Sequence, residues 1–130
     1  MKSAYLDTVF DVDHQAQLPQ EFVIITAYNP RGRAAPPSRN QHQDQTLRAV
    51  LINRGATPLR VTGRNVDGSH QEPGWAVALS VQVGLEIGRM FKQEAIYSVS
   101  HDELTLHACT HEQTDPVGSW NARVIKSETQ

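Results

Sequence analysis

The stretch Phe22–Arg33, FVIITAYNPRGR, decides the fold. Phe22 to Ile25 are apolar, Ala27 resumes the run, and Val23, Ile24, Ile25 and Thr26 are β-branched in succession. That is the composition of a buried strand, with a central position in its sheet. Asn29-Pro30 stops it, because proline has no amide donor for a central ladder and Asn-Pro favours a turn. Arg31, Gly32 and Arg33 follow at once. A core strand therefore delivers a side-chain amide and two guanidinium groups to one edge of the fold, and ligand sites are often built at such strand ends.

Before this strand, Ala4–Val12 reads as a first strand on Tyr5, Thr8 and Val9, and the polar Asp13–Gln20 with Pro19 reads as a turn. The two strands are expected to form a hairpin or to lie in neighbouring positions. After it, Pro30–Asn40 is a proline-rich loop. Leu47, Val50, Leu51 and Arg54 then follow i, i+3, i+4, i+7, which predicts a helix over Gln41–Arg54. Ser38 stands as its N-cap, with Gln41 three residues on as in a capping box, and Gly55 closes it as a C′ residue.

Pro58–Thr62 predicts a short strand, Gly63–Gly74 a loop with an Asp67-Gly68 turn, and Trp75–Leu79 another strand. Ser80 is expected to cap a second helix from Val81 to about Lys92, whose basic end, Arg89 and Lys92, complements the helix dipole. Gly84 and Gly88, four apart, would let a neighbour pack closely against it. Ala95–Val99 and Leu104–Cys109 flank His101-Asp102 and predict a hairpin. Ala122–Ile125 adds an edge strand, and the tail 126–130 is expected to be mobile. The pattern is α+β, a mostly antiparallel sheet of five to seven short strands with two helices packed on one face.

With 130 residues, 38% hydrophobic and 20% charged, the chain has room for one domain with a single core, ordered over about 4–125. Its apolar clusters are far shorter than a membrane span, and no apolar h-region follows a basic start. Cys109 is the only cysteine, so no internal disulfide forms, which fits a reducing cytoplasm. The net charge of −2 hides an asymmetry: Arg31 to Arg64 holds seven arginines and one acid, Asp44, a local charge of +6. Arginine suits bidentate contact with carboxylate or phosphate, although several of these are expected to be solvated or paired within the fold. The pI near 6.3 argues against broad nucleic-acid binding.

Several segments together resemble an uncharacterised bacterial family, domain of unknown function 3293. They are Ile25-Thr26-Ala27-Tyr28-Asn29-Pro30, Asn40 before a helix with Leu47 and Leu51, Gly63 with Asp67-Gly68, Glu72 with Gly74-Trp75, and Phe91-Lys92-Gln93-Glu94-Ala95-Ile96. The likeness runs from Tyr5 to Leu106, with Lys92 standing where the resemblance leads one to expect a small residue. It implies a small, bacterial, cytoplasmic protein and no assigned activity.

The candidate site is Asn29, Arg31, Asn40, Arg64, Glu72 and Gln93, polar residues at predicted element ends and in flanking loops. Glu72 is the one obvious base, and Arg31 or Arg64 would hold a phosphate or carboxylate. The plainer alternative is that Asn29 and Asn40 satisfy turn and cap groups while Gln93 ties a helix end to the sheet. His107, Cys109 and His111 form H-x-C-x-H, which on a strand would put three metal-binding side chains on one face, with His101 as a fourth ligand. Structural zinc sites favour longer, turn-borne spacings, so this is the weaker reading. No G-x-S-x-G, P-loop or G-x-G-x-x-G is present, and the sequence leaves any cofactor unknown. Three functions compete: a pocket for a small anionic ligand, nucleotides included; an interaction module meeting an acidic protein partner; and, more weakly, a nucleic-acid accessory protein.

Overall fold

The computed structural model describes residues 3–13 and 15–127. It is α+β, with a curled, mixed sheet of eight strands, more than the sequence pattern predicts. The strands are β1 (Val9–Asp13), β2 (Glu21–Thr26), β3 (Leu59–Arg64), β4 (Gln71–Val77), β5 (Ala95–Ser100), β6 (Glu103–Ala108), β7 (Thr114–Ser119) and β8 (Val124–Ser127). The helices are α1 (Ser3–Leu6), α2 (Pro37–Asn53), α3 (Val81–Met90) and α4 (Trp120–Arg123), with a 3-10 turn at Pro30–Gly32. The strand order is β7-β6-β5-β2-β4-β3-β1-β8, antiparallel throughout except for the parallel β1–β8 pair.

β2 is central, between β4 and β5, as its unbroken apolar run requires. It does not lie beside β1. Instead β1 pairs with β3 and β8, so the expected neighbouring pair is corrected. Residues 4–6, expected to be strand, form α1, and the strand begins at Val9. The predicted loop Gly63–Gly74 is largely strand, a β3–β4 hairpin whose turn covers only Asn65–His70. Pro73 is tolerated there because it falls beyond the last β2–β4 pair, Thr26–Gly74, where β4 has only β3 beside it. The ladder needs Gly74 itself, since a Cβ at that position would lie 2.7 Å from the Ile25 carbonyl oxygen.

α2 starts at Pro37, four residues earlier than its apolar pattern indicates. Proline is pre-organised for the first helical position, and Ser38 lies inside the helix rather than capping it. Gly55 ends this helix at φ 82, as a C′ glycine does. Ser80 caps α3 as expected, its hydroxyl accepting from Val83 N at 3.2 Å. The β5–β6 hairpin turns on His101 and Asp102, both at positive φ. β7 was not expected: its sequence TDPVGS is polar, with proline and glycine, features an edge strand accepts. Residues 122–123 belong to α4, so the last strand starts at Val124 and takes in Lys126 and Ser127; the rest of the expected mobile tail, and His14 of the expected early turn, lie outside the described residues.

Successive β2 side chains enter two separate cores. Val23, Ile25 and Ala27 join Leu47 and Leu51 of α2, Ile87 of α3, Trp75, Val77, Ile96 and Cys109. Phe22 and Ile24 join Phe10, Val12, Val61, Ala76, Val99, Leu104 and Trp120. The second core lies within the curl. β1 and β5 are four strand intervals apart, about 19 Å if the sheet were flat, yet the rings of Phe10 and Tyr97 meet edge to face at 5.0 Å. Phe10 and Phe22 also contact Trp120, at 5.1 and 5.3 Å. The four residues of α4 carry the chain from edge strand β7 to edge strand β8. Arg123 clamps the junction, donating to Val117 O at 3.3 Å, Leu6 O at 2.7 Å and Thr8 O at 3.1 Å.

Candidate functional site

The inside of the curl is not filled to its end. A cavity of about 440 Å³ remains where β2 finishes and β4 begins. Phe10, Ile24, Ala95 and Leu106 give it apolar walls; Thr8, Thr26, Asn29, His70, Glu72, Gln93 and Tyr97 give it polar ones, and Ala4 and Tyr5 of α1 border it. A pocket of this size with a few polar groups suits a small organic molecule.

Asn29 ends the β2 segment in the left-handed conformation, φ 50, which asparagine tolerates better than most residues. Its backbone N–H donates to Asn40 Oδ1 at 2.9 Å, and Asn40 Nδ2 returns a bond to Asn29 Oδ1, also 2.9 Å. Asn29 Oδ1 further accepts from Ala35 N at 3.1 Å. Asn40 is buried in the first turn of α2 and is wholly occupied by this pairing and Ala35 O, so it stands behind Asn29 rather than in the cavity. The exposed remainder of Asn29, its Nδ2, reaches Glu72 Oε2 at 3.4 Å.

Glu72 is on β4 and not in the loop before it, with its side chain 24% exposed. The same Oε2 meets His70 Nε2 at 2.9 Å, while the His70 ring is 63% exposed at the cavity mouth. His70 is one site residue that the sequence alone does not single out: it sits two positions before Glu72, the strand period, and becomes visible only once the β3–β4 turn is placed. Gln93 is buried after α3 and donates to Tyr28 O and Phe91 O, both at 3.2 Å. It therefore joins the end of α3 to the end of β2 and still borders the cavity.

The arginines divide. Arg64 also borders the cavity, but its Nε holds Asp11 at 2.7 Å and its Nη1 holds the carbonyls of Asn65 and Val66. Arg60 makes a two-point contact with Asp44, at 2.9 and 2.6 Å, and lies 3.7 Å above the Trp75 ring. Arg31 is exposed, at φ 59, and lines an adjoining depression of about 510 Å³ with Arg89, Lys92 and His111. Tyr5 and Gln93 border both hollows.

Half-buried phenols close the inner wall. Tyr97 donates to the Tyr5 carbonyl and contacts the Thr8 hydroxyl at 3.0 Å, and burial pushes its pKa up to about 12. Tyr5 donates to Glu94 Oε1 at 2.7 Å, and burial, then that bond, raises its pKa as well. Both are neutral hydrogen-bonding groups at physiological pH.

The H-x-C-x-H residues do not share a strand face, because β6 ends at Ala108. His107 contacts Ser98 Oγ at 2.7 Å, and His111 contacts Thr110 and Gln113. Burial, only partly offset by Arg89, pushes the Cys109 thiol up to about 11, the state of an unreactive core cysteine. His101 is at the β5–β6 turn. Among the described residues no group of three histidine, cysteine or acidic side chains is placed to hold a metal ion, and no helix is long and apolar enough to cross a membrane.

A family model described as a protein of unknown function, DUF3293, matches residues 25–96, a span that contains all six candidate residues. No curated protein and no solved structure matches the chain.

Proposed function

The chain belongs to the DUF3293 family, and from that footing we propose that it binds a small anionic ligand at the ends of its central strands. Asn29, Glu72 and Gln93 border the binding cavity, Asn40 fixes Asn29 from behind, and Arg31 supplies the charge beside it. The observation that carries this reading is the cavity itself, about 440 Å³ with apolar walls and a few polar groups gathered at the end of β2. Arg60 and Arg64 are taken up by Asp44 and Asp11, which leaves less of the arginine-rich segment for an acidic protein or a nucleic acid. We place the protein in the reducing cytoplasm, on the strength of a single buried cysteine.

A thermal-shift screen with nucleotides, sugar phosphates and small carboxylates tests this. A ligand at about 100 times its Kd adds roughly 2.7 kcal/mol, a rise of several degrees in Tm. The expected result is a rise that is lost in Arg31→Ala. A flat screen across all three classes would overturn the reading.

A further inference from the structure

Resting on that reading, we propose that the ligand is bipolar. It carries an N–H-bearing head, ammonium or amino group, that the Glu72 carboxylate receives inside the cavity. Its anionic tail, carboxylate or phosphate, is taken by Arg31, Lys92 and Arg89 in the adjoining depression.

Among the described residues Glu72 is the only carboxylate bordering the inner cavity, and the one arginine that borders it with Glu72 is Arg64. The close partner of Glu72 is the mostly exposed His70 ring at 2.9 Å, and its amide partner Asn29 is distant at 3.4 Å. Arg64 is held by Asp11 and two carbonyls. A ligand that was anionic throughout would bring a second negative charge against a carboxylate that is only 24% exposed, which is unfavourable. A donor head instead completes the lone pairs of Glu72 with charge-assisted hydrogen bonds.

The adjoining depression has the opposite sign. Arg31, Arg89 and Lys92 line it, and its one acid, Glu94, already accepts the Tyr5 hydroxyl. Among the described residues neither Arg31 nor Lys92 makes an ion pair. Arg31 N donates to Lys92 O at 2.7 Å, so the two cationic residues are fastened to one another. Both are left-handed, at φ 59 and φ 57, where glycine would be unstrained. The chain bears strain at two adjoining positions and carries a positive charge at each. Tyr5 and Gln93 border both hollows, so one molecule can occupy the two together.

Two sources share this chemistry, free amino acids and nucleoside monophosphates bearing an exocyclic amino group. Isothermal titration with both sets separates them, alongside tail-only probes (acetate, inorganic phosphate, ribose 5-phosphate) and head-only probes (methylamine, adenosine). The expected result is that one bipolar set binds at least tenfold more tightly than its tail-only counterparts. Glu72→Gln should weaken that set roughly tenfold while leaving tail-only binding unchanged. Lys92→Gly should weaken both bipolar and tail-only probes with an equal or higher Tm, because glycine relieves the backbone; a folding defect therefore cannot explain the loss. Tail-only probes that bind as tightly as bipolar ones, indifferent to Glu72→Gln, would overturn the bipolar ligand and leave the anion pocket standing. Binding by none of the probes would overturn both.

Discussion

Asn29 and Asn40, eleven positions apart, exchange two hydrogen bonds of 2.9 Å, one from the Asn29 backbone and one from the Asn40 side chain. The exchange joins the end of the central strand to the first turn of α2, and it leaves Asn29 Nδ2 pointing to Glu72. Asn40→Ala removes the acceptor for the Asn29 N–H in a partly buried place. The expected cost is ~2 kcal/mol, read by urea unfolding. An Asn40→Ala variant as stable as the parent would show that water replaces the pairing without loss.

Glu72 has a different standing. It is partly exposed, and its partners are a long amide contact and a mostly exposed histidine. Glu72→Gln keeps the shape and hydrogen-bonding capacity, so Tm is expected to change by less than about 2 °C. Glu72→Gln protein that unfolds in the same assay would make the residue architectural.

Asp44 is buried in α2, and Arg60 satisfies both its oxygens while stacking on Trp75. Arg60→Ala leaves that carboxylate without its charge partner. Full burial of such a pair would make the loss ~3–5 kcal/mol, but the Arg60 side chain is 40% exposed, so a loss of ~2 kcal/mol is expected. The Arg60→Ala, Asp44→Ala double variant, measured as a double-mutant cycle, should lose less than the sum of its parts.

Gly84 and Gly88 let α3 sit against the sheet. A Cβ at Gly88 would lie 2.9 Å from Cys109 Sγ and 3.0 Å from Ile96 Cγ2; at Gly84 it would meet Ile96 Cδ1 at 3.0 Å. Gly88→Ala gains up to about 1 kcal/mol of helix propensity but overpacks the core by ~1–3 kcal/mol. A net loss in Tm is expected, and a higher Tm would show that α3 can shift outward freely.

Burial holds the pKa of His107 below its ordinary value. In the window between the lowered folded pKa and the unfolded value near 6.5, the unfolded chain binds more protons, so stability rises with pH. This contribution is fully present above the unfolded pKa and is lost as pH falls through the folded one. Tm should therefore fall on acidification from pH 7, with a component that is absent in His107→Gln. Parallel profiles for the two proteins would contradict it.

The parts of the fold that local chemistry controls were readable. β2 was visible from its β-branched run, α3 from Ser80, and the β5–β6 hairpin from its turn. Elements held by distant pairing were not. β7 has a polar sequence with proline and glycine and is a strand only because β6 lies beside it. The β3–β4 hairpin was obscured by Pro73 and Gly74, which ordinarily break strands. The same distinction runs through the site. Asn29, Asn40, Glu72 and Gln93 stood out as polar residues near element ends. Tyr5, Thr8 and Tyr97 did not, since only the curl of the sheet, which no local pattern encodes, brings β1 against β5.

The most direct measurement is a ¹⁵N–¹H correlation titration of the whole protein with the nucleotide, sugar phosphate or carboxylate that raises Tm the most. The account predicts saturable shifts centred on the amides of Asn29, Arg31, Glu72 and Gln93, with the far edge at β7 unmoved. Shifts centred elsewhere, or none at millimolar ligand, would contradict it.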